Sequence, residues 1–199
     1  MTGVQTCALP ICVSFSPDGR SILSASDDGT LKLWDATSGH PILSLAGHTD
    51  SVRACAFSSD GRSILSASDD GTLKLWDAAS GRPILSLEGH TTWVRACAFS
   101  PDGRSILSAS SDGTLKLWDA SSGTLNRTVL IAGDESAGID EVASRVLWAT
   151  PGAWRHLSLR TFDLDRGAYR LYPVEAYGPL PTCPYPRSSS VEPDAESMT

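Results

Sequence analysis

A 42-residue period runs through most of this chain. Trp34, Trp76 and Trp118 are 42 residues apart, and so are Asp18, Asp60 and Asp102. Residues 16–45 and 58–87 are identical at 27 of 30 positions, differing only at Pro17/Ser59, Thr37/Ala79 and His40/Arg82. A tandem repeat of this length is one supersecondary unit that cannot bury its apolar faces alone, so neighbouring units must stack to make a core. In the second unit, VRACAF (52–57), RSILSAS (62–68), TLKLW (72–76) and PILSL (83–87) are short runs that are apolar or alternate, as strands do. Between them lie Asp60-Gly61, Asp70-Gly71, Ser80-Gly81 and Gly89-His90. Asx-Gly pairs supply the positive φ of tight hairpin turns. Each unit is therefore expected to be a four-stranded antiparallel meander, and the chain to be all-β.

SASDDGTLKLWD at 24–35 and 66–77, SASSDGTLKLWD at 108–119, and Gly-His at 47–48 and 89–90 resemble the WD-repeat family of β-propellers. The resemblance covers residues 12–131. It implies a partial propeller of about three four-stranded blades, at 12–46, 47–88 and 89–131. It also implies a structural tetrad of His, Ser or Thr, Asp and Trp. That tetrad carries over as His48, Ser68, Asp70 and Trp76, then as His90, Ser110, Asp112 and Trp118, with Ser26, Asp28 and Trp34 in the first unit. The first unit lacks its Gly-His, because the repeat places that pair at Gln5 and Thr6. Such a tetrad makes sense as hydrogen-bond satisfaction: an indole has one N–H to place, a hydroxyl both gives and takes, and an imidazole links it to an aspartate. His, Ser and Asp together also suggest nucleophilic catalysis. The set recurs in successive units, however, whereas a nucleophile is needed once.

The family presents rigid surfaces to other macromolecules, so the resemblance implies a noncatalytic scaffold for proteins or peptides. The alternative is a sensor or regulatory propeller of a larger bacterial enzyme or signalling ATPase whose catalytic domain lies upstream. In either case the rim loops are the places to look for a partner. The second unit opens with Thr49-Asp50-Ser51 and the third with Thr91-Thr92-Trp93, which makes Trp93 a candidate contact of a type enriched at interfaces. The resemblance also directs to one rim the residue before the tetrad aspartate and the basic residue early in the innermost strand. These are Asp27, Asp69 and Ser111, with Arg53 and Arg95.

Charge and motifs exclude other classes. With 16 basic and 23 acidic residues the net charge is −7, which argues against binding phosphate backbones, so no nucleic-acid partner is expected. No phosphate-binding glycine motif occurs, and no cofactor is expected. Asp27-Asp28 and Asp69-Asp70 lack the glutamate that a calcium loop needs twelve positions in, and turn chemistry explains them; no metal is expected. No apolar run nears the ~18 residues of a membrane span. Five cysteines with no C-x-x-C pair, two of them (Cys55 and Cys97) inside apolar runs, suit a reducing, cytoplasmic setting. Asn126-Arg127-Thr128 matches a glycosylation pattern but is expected in the fourth strand of the third unit.

The two ends depart from the repeat. MTGVQTCALPI (1–11) shares no periodicity with the repeat units and resembles a translated sequencing adapter, so it is set apart, and an N-terminally truncated fragment of a longer parent is expected. From Ala132 the period stops. The stretch RVLWATPGAWRHL…AYRLYPVEAYGPLP is similar to terminal segments that close large bacterial WD-repeat proteins, so a closing segment is expected over residues 132–180. Within them 139–149 fits either a helix or a strand, and HLSLRTFDL and AYRLYPVEAY read as a hairpin around Asp165-Arg166-Gly167. Trp148, Trp154, His156 and Tyr169 are expected to form its small core. A catalytic use of His156 with Asp163 or Asp165 has no nucleophile at a recognisable spacing. The tail 181–199, rich in proline, serine and acid, is expected to be disordered. Three blades should not close a ring of ~4–8, so the open faces are expected to drive self-association if the chain stands alone.

Overall fold

The computed structural model describes residues 9–143, 145–150, 158–163 and 168–173, the last two spans as backbone only. Strands account for all the regular structure there. The first sheet is β1 (Pro10–Phe15), β2 (Ser21–Ser26), β3 (Thr30–Asp35) and β4 (Pro41–Ala46), and the second is β5 (Val52–Phe57), β6 (Ser63–Ser68), β7 (Leu73–Asp77) and β8 (Pro83–Leu87). Both are antiparallel meanders in sequence order. The third unit supplies β9 (Val94–Phe99), β10 (Ser105–Ser110), β11 (Thr114–Asp119) and β12 (Leu125–Ala132), and Asn126 to Thr128 lie in β12. Two strands beyond the repeat, β13 (Glu135–Asp140) and β14 (Arg145–Ala149), extend this sheet to six. A separate pair, β15 (Ser158–Asp163) and β16 (Ala168–Pro173), runs antiparallel.

Alternation along each strand decides which residues meet the neighbouring sheet. Leu23, Ala25, Leu31 and Leu33 of the first sheet pack against Val52, Cys55, Ile64 and Trp76 of the second. The other face of the second sheet, with Leu65, Ala67, Leu73 and Leu75, packs against Val94, Ile106 and Trp118 of the third. The middle sheet is thus buried on both sides, and β6 is buried from Ile64 to Ser68. β5 lies between β1 and β9, so the first strands of the three units are neighbours. This is the stacking of successive propeller blades.

Repeat-equivalent residues differ in burial according to whether a neighbour covers them. Val13 and Phe15 are 68% and 67% exposed, whereas their repeat equivalents Cys55 and Phe57 pack into the first core. Leu107 is 46% exposed where Leu23 and Leu65 are fully buried. Cys97 packs against the second core, as its apolar run implied.

The ends differ from expectation in two respects and settle one choice left open. Pro10 and Ile11, set apart with the opening segment, lie in β1, and Pro10 pairs with Ser26. The boundary at 131/132 cuts through β12, because the chain turns at Gly133 and pairs back as β13. Residues 139–149 take the strand alternative, with a turn at 141–143 whose Ala143 N–H donates to Asp140 Oδ1 at 2.9 Å. Thr128, Leu130 and Ala132 on β12 pair with Ile139, Ala137 and Glu135, so an existing strand edge decided a choice that spacing left open. Trp148 is half-buried on β14; Trp154 and His156 lie outside the described residues, as does any packing of Tyr169.

Candidate functional site

The indole of Trp76 starts a buried chain of hydrogen bonds. Trp76 Nε1–H donates to Ser66 Oγ at 2.8 Å, Ser66 Oγ lies 2.7 Å from His48 Nε2, and His48 Nδ1 lies 2.7 Å from Asp70 Oδ2. Asp70 also accepts from Thr49 N–H, Thr72 N–H and the Thr72 hydroxyl. The third unit repeats the chain through Trp118, Ser108, His90 and Asp112, with separations of 2.9, 2.8 and 2.8 Å. In the first, Trp34 donates to Ser24 at 2.8 Å and Asp28 accepts from Thr30; Thr6 lies outside the described residues.

The serine of the chain is therefore Ser66, Ser108 or Ser24, and not Ser68, Ser110 or Ser26 as expected. The last two serines of each SILSAS run project to the same face, so alternation cannot separate them. Register does: Trp76 pairs with Ile64, which makes Ser66 its diagonal neighbour. Ser68 instead sits at the turn, donating to the Asp50 carbonyl and accepting from Asp70 N–H. Ser110 and Ser26 likewise accept from Asp112 N–H and Asp28 N–H. The preceding glycine is also explained, since a Cβ on Gly47 would stand 3.1 Å from Trp76 Cη2.

Proton positions follow from the electrostatics. Burial opposes charge on Asp70 and Asp112, but hydrogen bonds from Thr72, Thr114 and the imidazoles outweigh it and hold both carboxyls below their usual range, Asp112 at about 2. Burial pushes His48 and His90 down more than their aspartates pull them up. Each imidazole is thus neutral, with Nδ1–H donating to aspartate and Nε2 accepting the serine proton. Ser66 and Ser108 are 0% and 1% exposed. A serine wedged between indole and imidazole has no access to a substrate for acyl transfer, and this geometry instead ties the β4–β5 connection and the β6–β7 turn to the strands of one sheet.

The rim made by the β2–β3, β4–β5, β6–β7, β8–β9 and β10–β11 connections is polar. Arg53 Nε donates to Asp69 Oδ2 at 2.7 Å, its Nη2 lies 2.6 Å from the same oxygen, and its Nη1 lies 3.2 Å from Asp27 Oδ1. The Asp69 carboxylate beside it holds Arg53 firmly protonated. Arg95 Nε donates to Ser111 Oγ at 3.0 Å, and its guanidinium stacks 4.5 Å from the centre of the Trp93 ring. Trp93 is half exposed, so this rim residue is not consumed by packing between sheets. The six rim candidates thus form one line, Asp27, Arg53, Asp69, Arg95, Ser111 and Trp93. Beside it a concavity of about 510 Å³ is lined by Asp69, Asp70, Gly71, His90, Trp93 and Ser111, among others. Among the described residues no group of three or more His, Cys, Asp or Glu could hold a metal ion, and no helix could cross a membrane. His156 and Asp165 lie outside the described residues, and Asp163 is described by its backbone only.

Comparison with known proteins agrees with this geometry. The family described as WD domain, G-beta repeat matches residues 4–35, 39–77 and 81–119. WD repeat-containing protein 38 of Mus musculus is 53% identical over 36 residues, which is 18% of this chain and 12% of that protein. Nuclear distribution protein nudF 2 of Aspergillus clavatus is 48% identical over 42 residues, 21% of this chain and 10% of that protein. A probable serine/threonine-protein kinase, PkwA, of Thermomonospora curvata is 47% identical over 44 residues, 22% of this chain and 6% of that protein. The chain therefore spans about a tenth of the length of these relatives.

Proposed function

The chain belongs to the WD domain, G-beta repeat family, and on that footing we propose that it is a noncatalytic platform that binds proteins or peptides. Its contact surface is the rim carrying Arg53, Arg95 and Trp93. The observation that carries the reading is the exposed Trp93 stacked under Arg95 beside a concavity, on strands fixed by two buried tetrads. Aromatic and arginine side chains dominate interface energetics because they desolvate a large area at low entropic cost. A cytoplasmic setting goes with it, supported by the free thiols of Cys12, Cys55 and Cys97. Display of random dodecapeptides against the full chain tests the reading. Binders should be recovered and lost with Trp93→Ala, but kept with Arg62→Ala on the opposite rim. Binders indifferent to Trp93 would refute it.

The likeness to a protein named as a kinase favours a second reading. In it the repeats are the sensor propeller of a larger bacterial enzyme or signalling ATPase with its catalytic domain upstream. Sequencing the source DNA upstream of the Cys12 codon decides between them: an in-frame catalytic domain supports the second reading, and further Gly-His and Trp-Asp repeats alone support the first.

A further inference from the structure

The second and third sheets present the same rim arginine in two different states. Arg53 and Arg95 are repeat equivalents, as are Asp69 and Ser111. Arg53 lies between two carboxylates, Asp69 at 2.6 Å and Asp27 at 3.2 Å. Arg95 has a hydroxyl where Arg53 has its own sheet's carboxylate, and its nearest carboxylate oxygen, Asp69 Oδ1, is 3.7 Å from Nη1. Among the described residues the terminal nitrogens of Arg95 make no hydrogen bond. The side chain is 44% exposed and is held in place by its stack on Trp93.

We propose that this notch binds the carboxylate of an acidic residue in a peptide segment, which takes the place that Asp69 fills for Arg53. The proposal rests on the reading of the rim as a peptide-binding surface and names the chemistry of its partner. A guanidinium presents a planar fork of donors to a carboxylate, and the second sheet already holds such a pair, with Nε and Nη2 of Arg53 converging on Asp69 Oδ2. Stacking on Trp93 immobilises Arg95 before the partner arrives, so less side-chain entropy is lost on binding. The exposed indole offers an apolar wall for the methylene groups of the incoming residue. Asp69 is among the residues that line the concavity, and its Oδ1, buried without a hydrogen bond, faces Arg95 Nη1 at 3.7 Å.

The test uses the full chain and the same random dodecapeptide display. We expect the recovered peptides to share a Glu or Asp at one position. Changing that residue to Gln or Asn should weaken binding about tenfold or more. Arg95→Gln should abolish the acidic preference. So should Ser111→Asp, which supplies the carboxylate internally and copies a side chain that the second sheet already accommodates; thermal melting checks that both variants fold. Binders that need Trp93 but show no acidic residue, or that keep their preference in Ser111→Asp, would overturn this inference and leave the rim reading standing. Failure to recover any binder that depends on Trp93 would overturn both.

Discussion

Ser66 and Ser68 differ by two positions and by the whole of their role. Removing the Ser66 hydroxyl leaves a buried indole N–H and a buried imidazole nitrogen without partners, each at a cost of ~1–3 kcal/mol. Ser66→Ala should therefore lower the melting temperature and shift the Trp76 indole N–H resonance. Ser68→Ala should leave that resonance in place, because its hydroxyl serves the turn. A matching pH dependence belongs to the histidines. Burial depresses His48 and His90 from 6.5, so the unfolded chain binds more protons just below that value. Their contribution to stability is complete above about 6.5 and is lost as pH falls through the folded values. The carboxyl of Asp112, held at about 2 against 3.8, adds a second loss between those values. Urea midpoints should fall from pH 7.5 to 5, and a His48→Gln/His90→Gln double variant should flatten that slope. A slope unchanged in the variant would assign it elsewhere.

Among the elements, the repeat strands were legible because turn chemistry and alternation agree in every unit. The four runs read from the second unit became β5 to β8 with boundaries shifted by at most a residue. β13 and β14 were not legible, since the apolar positions at 139–147 suit two periods and only pairing with the exposed edge of β12 selects one. Their contact has a sequence mark that periodicity overlooks. Gly138 faces Trp148 across the ladder, and a Cβ there would come within 2.5 Å of the indole nitrogen. Gly138→Ala should loosen this hairpin while sparing the blades. Amide exchange should rise in 135–149 with protection of β5 to β7 unchanged. Equal protection throughout would mean that the indole is free to move aside.

For the molecule as a whole, the third sheet leaves Leu107 exposed and the first leaves Val13 and Phe15 exposed, at positions whose repeat equivalents are packed between sheets. Burial of such side chains is worth ~1.5–3 kcal/mol each, so the expressed chain should associate through these faces. Sedimentation velocity should show concentration-dependent association that Val13→Lys with Leu107→Lys reduces. A monomer at all concentrations in the unsubstituted chain would sink this expectation. Cys12 and Cys55 meet at the first of the buried junctions, with their sulfurs 3.4 Å apart.

The sequence by itself determined the repeat, the strands, the turns and the chemistry that a tetrad must have, because local propensity and hydrogen-bond inventory are written residue by residue. Which serine completes the tetrad was decided only in the tertiary structure, since cross-strand register selects between positions that share a face. The same holds for the contrast between Arg53 and Arg95. The substitution at Ser111 is visible in the alignment of the repeats, but its consequence arises only where adjacent sheets bring Asp27, Asp69 and Trp93 within reach of the two guanidinium groups.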